Sequence, residues 1–123
     1  VVGRNTYLAA ADRLRKVNTF VLSNQPKTSR RRGSVMFVNP ANIKLTKLLE
    51  NYKTVAILGG GAVYGFMLGN GLLDEIFITI EPFIFGRGRA MFTDGNRTTP
   101  VKLLSVKKLN RQGTLLLHYQ INR

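Results

Sequence analysis

Short apolar runs rich in β-branched residues recur along the chain and predict strands. Two of them cover residues 17–23 and 34–38, and a third, at 54–58, contains almost no polar residue. A run of the third kind is typical of a strand that is buried on both faces of a parallel sheet. Further predicted strands cover residues 74–81, 101–109 and 114–122.

Helical spacing of apolar residues separates several of these strands. One such pattern begins at Pro40 and ends near Tyr52, and a second covers residues 61–72. The last two strands flank a turn at residues 110–113, which predicts an antiparallel hairpin with a short loop. Strands that alternate with helices and then close in a hairpin predict an α/β fold, with a mostly parallel sheet and an antiparallel edge.

The composition fits one domain and excludes several kinds of site. The chain has 123 residues, of which 44% are hydrophobic, and it has no cysteine. Disulfides, cysteine-ligated zinc and a cysteine nucleophile are therefore excluded, and we predict no metal site. No apolar run approaches the roughly 20 residues that span a bilayer, so we expect no membrane segment. The absence of cysteine is compatible with the cytoplasm, which is the location we expect.

The first two residues, Val1 and Val2, look like the end of a strand, and Gly3 then turns the chain. A domain rarely begins with so short a remnant of a strand. We therefore expect a single domain over residues 1–123 whose N-terminal part is missing from this chain.

The charge is the one unusual bulk property. Nineteen basic residues against six acidic ones give a net charge of +13. This charge fits nucleic-acid binding, a site for a small polyanion such as a nucleotide cofactor, or a solvated basic surface. No helix-turn-helix, zinc finger or RNA-binding aromatic motif accompanies it, which argues against nucleic acid as the main partner. The only local cluster, Lys27 to Gly33, lies in a turn-rich setting that predicts a loop.

Three consecutive glycines, Gly59 to Gly61, stand between the apolar run at 54–58 and the predicted helix at 61–72. Such a turn leaves backbone N–H groups free beside a positive helix end, and the missing Cβ atoms let a phosphate approach closely. A tight turn without a ligand is the alternative. No lysine follows, which excludes a P-loop, and Tyr64 occupies the sixth place of the Rossmann fingerprint, where glycine is required.

Two further polar turns follow predicted strands. In the motif GRNT, Gly3 to Thr6, the guanidinium of Arg4 could bind a phosphate through two parallel hydrogen bonds. Asn5 or Thr6 is expected to cap the first helix. After the strand at 17–23, Ser23 and Asn24 form the third turn. Turns that follow parallel strands share one edge of a sheet, so all three turns are predicted to converge there.

Three segments together resemble the dihydrofolate reductase superfamily. They are VVGRNTY, FVLSNQP and the long segment AILGGGAVYGFMLGNGLLDEIFITIEPFIFGRGRAMF, in this order. The last segment and the closing hairpin are most similar to the branch that contains the reductase domain of the riboflavin-pathway deaminase/reductase. This resemblance covers nearly the whole chain and implies a three-layer α/β sandwich, with a mostly parallel central sheet and a C-terminal antiparallel hairpin.

The resemblance implies NADPH as the cofactor and assigns its parts to the three turns. In that superfamily the Gly-Arg-x-Thr turn holds phosphates, and the turn after the next strand flanks the adenosine 2′-phosphate. The paired glycines carry a cis peptide beside the nicotinamide, and the residues after them continue along the pyrophosphate. The candidate cofactor-binding residues are therefore Gly3, Arg4, Asn5, Thr6, Leu22, Ser23, Asn24, Leu58, Gly59, Gly60, Gly61, Ala62, Val63 and Tyr64.

The resemblance assigns few residues outside these turns. Thr79 matches a threonine that reaches the substrate-site acid in folate reductases, so it is a candidate substrate-site residue. The superfamily's first strand, mobile loop and following helix are absent, and the catalytic residues are expected in that missing part. We interpret His118, which has no partner in the sequence, as structural. Asp74 and Glu75 are also interpreted as structural, because neighbours on a strand point to opposite faces.

The implied reaction is hydride transfer from NADPH to a C=N bond, or to a sugar-like carbonyl or imine, of a small heterocyclic substrate. The favoured substrate class is that of 5-amino-6-(5-phosphoribosylamino)uracil in riboflavin biosynthesis, and dihydrofolate is the alternative. Gly86-Arg87-Gly88 and Arg89 are candidates to meet a substrate phosphate, while Lys27 and Arg30 to Arg32 are candidates to attract the 2′-phosphate. A non-catalytic basic module that binds polyanions is the alternative from another class. A homodimer is consistent with the riboflavin branch.

Overall fold

A computed structural model describes residues 1–25, 29–93 and 97–122. Contacts divide these residues into two compact units, drawn from 1–66 with 91–94 and from 67–90 with 95–123. The predicted single domain stays a prediction. The elements in chain order are β1 (Val2–Gly3), α1 (Arg4–Leu14), β2 (Thr19–Leu22), β3 (Arg30–Arg32), β4 (Val35–Val38), α2 (Leu45–Leu49), α3 (Gly61–Gly69), β5 (Glu75–Ile80), β6 (Val101–Lys108) and β7 (Leu115–Ile121).

The first unit contains a four-stranded mixed sheet with the strand order β1-β2-β4-β3. Strands β1, β2 and β4 are parallel, and β3 is antiparallel to β4. The β-branched residues that predicted these strands are buried here: Val2, Val21 and Val38 have no exposed surface. Parallel strands with buried side chains on both faces give the nearly continuous apolar runs seen in the sequence.

Helix α1 packs on one face of this sheet. Its buried residues Tyr7 and Leu14 join Val2, Val21 and Val35 in one apolar core cluster. The helix begins at Arg4 with Gly3 as its N-cap, so the predicted cap at Asn5 or Thr6 is wrong. The reason is that β1 ends at Gly3 and the chain enters the helix at once, which places both polar residues inside the first turn.

The predicted strand at 54–58 is not a strand of either sheet. In the described part of the first unit, backbone hydrogen bonds reach it only from Val1, whose N–H donates to Ala56 over 2.6 Å and whose carbonyl accepts from Leu58 over 2.9 Å. This alternation is that of a parallel pair on one side. The predicted burial on both faces is also wrong, since Leu58 is 52% exposed. An apolar run shows that a segment can be buried, but it does not show how many other segments pack against it.

The predicted loop over Lys27 to Gly33 is wrong for Arg30–Arg32, which form the edge strand β3. Gly33, with φ +58°, turns the chain back into β4, in a two-residue connection that suits residues of positive φ. All three arginines are exposed. Lys27 lies outside the described residues.

Helices α2 and α3 are shorter than predicted. The Asn39 side chain accepts a hydrogen bond from the N–H of Ala41 over 3.0 Å, so a turn replaces the start of α2. Helix α3 ends because Gly71, with φ +66°, turns the chain, while the N–H of Leu72 bonds back to the carbonyl of Met67 over 2.9 Å. This pattern is a Schellman C-cap, which the sequence marks by the glycine alone.

The second unit contains an antiparallel sheet with the order β5-β7-β6. The predicted C-terminal hairpin is confirmed as β6 and β7. Asn110 holds its turn: the side-chain oxygen accepts from the N–H groups of Gly113 and Thr114, each over 3.1 Å. The Asn110 amide and Thr114 hydroxyl are 2.8 Å apart, and this hydroxyl also lies 2.8 Å from the carboxylate of Glu81. The α/β class is therefore confirmed, with the hairpin paired to a third strand.

None of the helices in the described part of the chain has the length and apolar character that crossing a bilayer requires.

Candidate functional site

The three-glycine turn combines a packed position with an open one. Gly59 is buried with φ +98°, and a Cβ added there would lie 3.2 Å from the hydroxyl oxygen of Tyr64. Gly60 is exposed, and a Cβ added there would meet no atom within 4 Å. The peptide bond between these two residues is cis, as the resemblance implies. The backbone at Gly60 is therefore accessible to a ligand.

The first glycine turn lies directly against the second. The N–H of Gly3 donates to the carbonyl oxygen of Gly59 over 3.1 Å. A Cβ added to Gly3 would lie 3.0 Å from Cγ2 of Val63, 3.6 Å from the carbonyl oxygen of Gly59 and 4.0 Å from the nitrogen of Gly60. The convergence predicted for these two turns is therefore observed.

The third polar turn lies at the same sheet edge. Gly3 is in register with Leu22, so Ser23 and Asn24 follow β2 where Gly3 ends the neighbouring β1. The N–H of Ser23 donates to the carbonyl of Val38 over 3.0 Å, and the Asn39 amide donates to the carbonyl of Asn24 over 3.3 Å. The ends of three parallel strands thus meet at one edge, where α/β sheets bind their ligands.

Two helices begin at this edge. Helix α1 starts at Arg4, after Gly3, and α3 starts at Gly61, after Gly60. The first N–H groups of a helix have no partner inside the helix, and they lie at the positive end of its dipole. Neither of these fully described helices has an acidic residue in its first turn. The edge therefore offers two groups of donors for anionic oxygens.

The candidate cofactor residues divide into exposed and packed ones. Arg4, Asn5, Asn24, Gly60 and Ala62 are exposed, whereas Leu22 and Val63 are buried and offer only backbone atoms. Leu58 is also exposed and Gly59 is also buried, whereas Gly3, Thr6, Ser23, Gly61 and Tyr64 are half-buried. The donor set of free N–H groups, a guanidinium and hydroxyls fits the diphosphate of a dinucleotide.

Thr79 lies in the second unit, exposed on β5 and in register with Leu116. Its role as a substrate-site residue stays a prediction. The loop after β5 carries the Gly86-Arg87-Gly88 turn and Arg89, which are all exposed, and Gly86 has φ +68°. These arginines are therefore accessible in the second unit.

His118 has a partner that the sequence did not reveal. Its Nε2 lies 3.0 Å from a carboxylate oxygen of Glu75, and its ring stacks on Phe77 with centroids 4.1 Å apart. The antiparallel register places Phe77 opposite His118, which only the pairing of β5 with β7 determines. The carbonyl of Asp74 accepts from the N–H of Ile121 over 2.9 Å. The structural interpretation of all three residues is consistent with these contacts.

Sequence reasoning also missed Phe92 and Thr93. The N–H of Thr93 donates to the carbonyl of Gly61 over 3.1 Å, and the ring of Phe92 packs on Tyr64 with centroids 5.7 Å apart. Only Gly65, a glycine inside the helical pattern at 61–72, could have signalled that another segment comes close. In the part of the chain that the structure describes, no group of three or more His, Cys, Asp or Glu residues could hold a metal ion.

Comparisons with known proteins identify the fold and the family. A protein from Shewanella sp. PV-4 described as a riboflavin biosynthesis protein has a similar structure: the TM-score is 0.74 at 21% identity, over 99% of this chain and 72% of that one. Dihydrofolate reductase from Enterococcus faecalis, complexed with NADP(H) and RAB-propyl, gives a TM-score of 0.62 at 21% identity, over 99% of this chain and 73% of that one.

A search of curated protein sequences finds no match. The structural likeness confirms the fold resembling dihydrofolate reductase that the motifs implied. The profile of the RibD C-terminal domain matches residues 2–115, which is nearly the whole chain. This chain therefore belongs to the RibD C-terminal domain family.

Proposed function

We propose that this chain is the NADPH-binding part of a reductase that acts on a pyrimidine or pteridine type of substrate. The observation that carries the proposal is the hydrogen bond between Gly3 and Gly59, because it holds two glycine turns and the starts of two helices together. Free N–H groups from both helices then face one place at the sheet edge. Membership of the RibD C-terminal domain family supports a reductase over other nucleotide-binding proteins.

The chain's own residues would bind and orient the cofactor. Donors at the start of α1, with the Arg4 guanidinium and the Thr6 hydroxyl, suit phosphate oxygens. The open backbone at Gly60 suits the nicotinamide side, where a side chain would take up the space of the ring. Ser23 and Asn24, at the end of β2, suit the adenosine side. NADPH would supply the hydride, and the protein would supply its position relative to the acceptor.

The favoured substrate is a ribosylaminopyrimidine of riboflavin biosynthesis, and dihydrofolate is the alternative. Family membership favours the first. The exposed Arg87 and Arg89 offer guanidinium groups that fit a phosphorylated substrate. Changing both to alanine is expected to raise the KM for the phosphorylated pyrimidine, whereas Arg111→Ala, also an exposed arginine of the second unit, serves as the control. An unchanged KM in the double variant would exclude these arginines.

A non-catalytic polyanion-binding module is the second candidate. The net charge of +13 favours it. Binding of that kind depends mainly on charge, so affinity would fall steeply with salt and would not distinguish NADPH from NADH. The proposed cofactor site instead predicts a preference for NADPH that persists at moderate salt.

Calorimetric titration with NADPH and NADH, at low and moderate salt, separates the two functions. Gly60→Val is expected to abolish NADPH binding, since the new side chain points into open space that the cofactor would occupy. Gly69→Val is the matched control, because an added Cβ at that exposed glycine also meets no atom within 4 Å. Equal NADPH affinity of Gly60→Val and wild type would reject the proposed site.

A further inference from the structure

A backbone segment crosses α3 at a glycine in the middle of that helix. A Cβ added to Gly65 would overlap the carbonyl oxygen of Thr93 and would lie 2.9 Å from its carbonyl carbon. Both are backbone atoms, so no side-chain rotation can relieve the overlap. Gly69, in the same helix, would carry a Cβ with no atom within 4 Å. Close approach therefore requires glycine at position 65 and not at position 69.

The segment touches the first turn of α3 at two further points. We call Phe92 and Thr93 the strap. The N–H of Thr93 donates to the carbonyl of Gly61 over 3.1 Å, and the Phe92 ring packs on Tyr64. The strap thus holds the helix at Gly61, Tyr64 and Gly65. These three residues lie in its first turn and a half.

Tyr64 carries this contact to the three-glycine turn. Its hydroxyl oxygen lies 3.2 Å, and its ring atoms 3.3 and 3.4 Å, from the position that a Cβ on Gly59 would take. The Tyr64 ring therefore packs against the Gly59 backbone and against Phe92. A shift of the strap would move the Tyr64 ring, and with it the turn next to the candidate cofactor site.

We propose that Gly65 is a positioning residue for the cofactor: by admitting the strap, it fixes the first turn of α3 so that its N–H groups face the diphosphate. The inference rests on the proposed function. A displaced first turn would weaken contacts with the diphosphate and nicotinamide, which the Gly59 to Tyr64 segment would hold. Contacts with the adenosine 2′-phosphate, at the Ser23 turn after β2, would stay intact.

The test compares Gly65→Ala with Gly69→Ala. Both changes add one methyl group to α3, but only the one at position 65 meets the backbone of Thr93, so their difference reports the overlap. Each variant is titrated with NADPH and with adenosine 2′-monophosphate, which carries the 2′-phosphate but neither the diphosphate nor the nicotinamide. Gly65→Ala is expected to bind NADPH about tenfold or more weakly, since displacements near 1 Å have large effects in preorganised sites. Its affinity for the monophosphate is expected to stay within about twofold of wild type, because the contacts at the Ser23 turn are unchanged and the loss of even one hydrogen bond would lower the affinity by about that factor or more.

Three results would overturn the inference, and they have different meanings. If wild type does not bind NADPH, the proposed function itself fails. If wild type binds NADPH but Gly65→Ala and Gly69→Ala bind it equally well, only the positioning role fails. If Gly65→Ala is folded and loses affinity for both ligands equally, the change weakens the whole site and the positioning role also fails.

Phe92→Ala keeps the test decisive if Gly65→Ala does not fold. It removes the ring that packs on Tyr64 and leaves the backbone of the strap unchanged. We expect it to weaken NADPH binding and to leave the affinity for adenosine 2′-monophosphate unchanged, as for Gly65→Ala. Phe83→Ala, which removes an exposed ring in the second unit, is its control. NADPH binding by Phe92→Ala that matches this control would overturn the inference.

Discussion

The N–H of Gly3 donates a hydrogen bond to the carbonyl oxygen of Gly59 over 3.1 Å, and this bond joins two turns that lie far apart in the sequence. The close approach leaves little room for a side chain at Gly3, where an added Cβ would lie 3.0 Å from Cγ2 of Val63. Glycine at position 3 thus serves both the turn from strand to helix and the close contact of this turn with Val63.

Gly3→Ala tests this packing. We expect it to lower the free energy of unfolding by about 1–3 kcal/mol, because overpacking in a filled region has that cost. The double variant with Val63→Ala is expected to lose less stability than the sum of the single variants, since the methyl group that meets the new Cβ is gone. Urea denaturation measures all three, and additive losses would contradict the contact.

Arg30 and Arg32 form a matched pair for cofactor selectivity. Both are exposed on β3, but Arg30 is in register with Phe37, near the end of β4, whereas Arg32 is in register with Val35, at its start. Only Arg30 therefore lies towards the edge that carries Ser23. Arg30→Ala is expected to reduce the preference for NADPH over NADH about tenfold, since a charge-assisted hydrogen bond contributes about 1.5–3 kcal/mol.

Arg32→Ala removes the same charge from the same strand and is expected to change that preference little. Calorimetric titration of both variants with NADPH and NADH provides the measurement. Equal and small effects would mean that the arginines attract the cofactor only through the general positive field of the protein.

The turn between β6 and β7 predicts a stability effect in the second unit. Thr114 is only 4% exposed, and its hydroxyl lies 2.8 Å from both the Asn110 amide and the Glu81 carboxylate. Thr114→Val keeps the shape but removes both hydrogen bonds, one of them to a carboxylate, so we expect a loss of about 1–3 kcal/mol in the free energy of unfolding. Thermal or urea unfolding checks it against Thr46→Val, where the hydroxyl is on an exposed residue of α2. Similar losses in both variants would count against the network.

The features of the fold that were predicted correctly have local signals. The hairpin of β6 and β7 follows from two apolar runs around a turn, and the position of α3 follows from a glycine turn before a helical pattern. The convergence of the Gly3 and Gly59 turns could also be predicted from the rule that parallel strands end at a common edge. The segment at 54–58 is not a strand of the sheet, but its hydrogen bonds with Val1 are those of a parallel pair and bring its end to that edge. These signals depend on residues that are neighbours in the sequence or on a general rule of sheet topology.

The features that were missed depend on pairing between distant segments. Arg30–Arg32 form a strand because they pair with the edge of β4. Three consecutive arginines have no apolar pattern from which a strand could be predicted. The Glu75–His118 contact exists only in one register of β5 and β7. Thr93 reaches Gly65 through backbone atoms, whose position no side-chain pattern encodes. Exposure of the segment at 54–58 likewise depends on which neighbours it has, and its own residues do not specify them.

The charge on β3 has a consequence for the protein at high concentration. This strand is the outer edge of the first unit's sheet, and such an edge can pair with the same strand of another molecule and begin aggregation. Arg30, Arg31 and Arg32 would then face the arginines of the other molecule, and like charges directly opposite each other repel. This repulsion opposes pairing of the edges at low ionic strength, and it weakens as added salt screens the charges. Concentrated salt is therefore expected to lower the solubility of this protein.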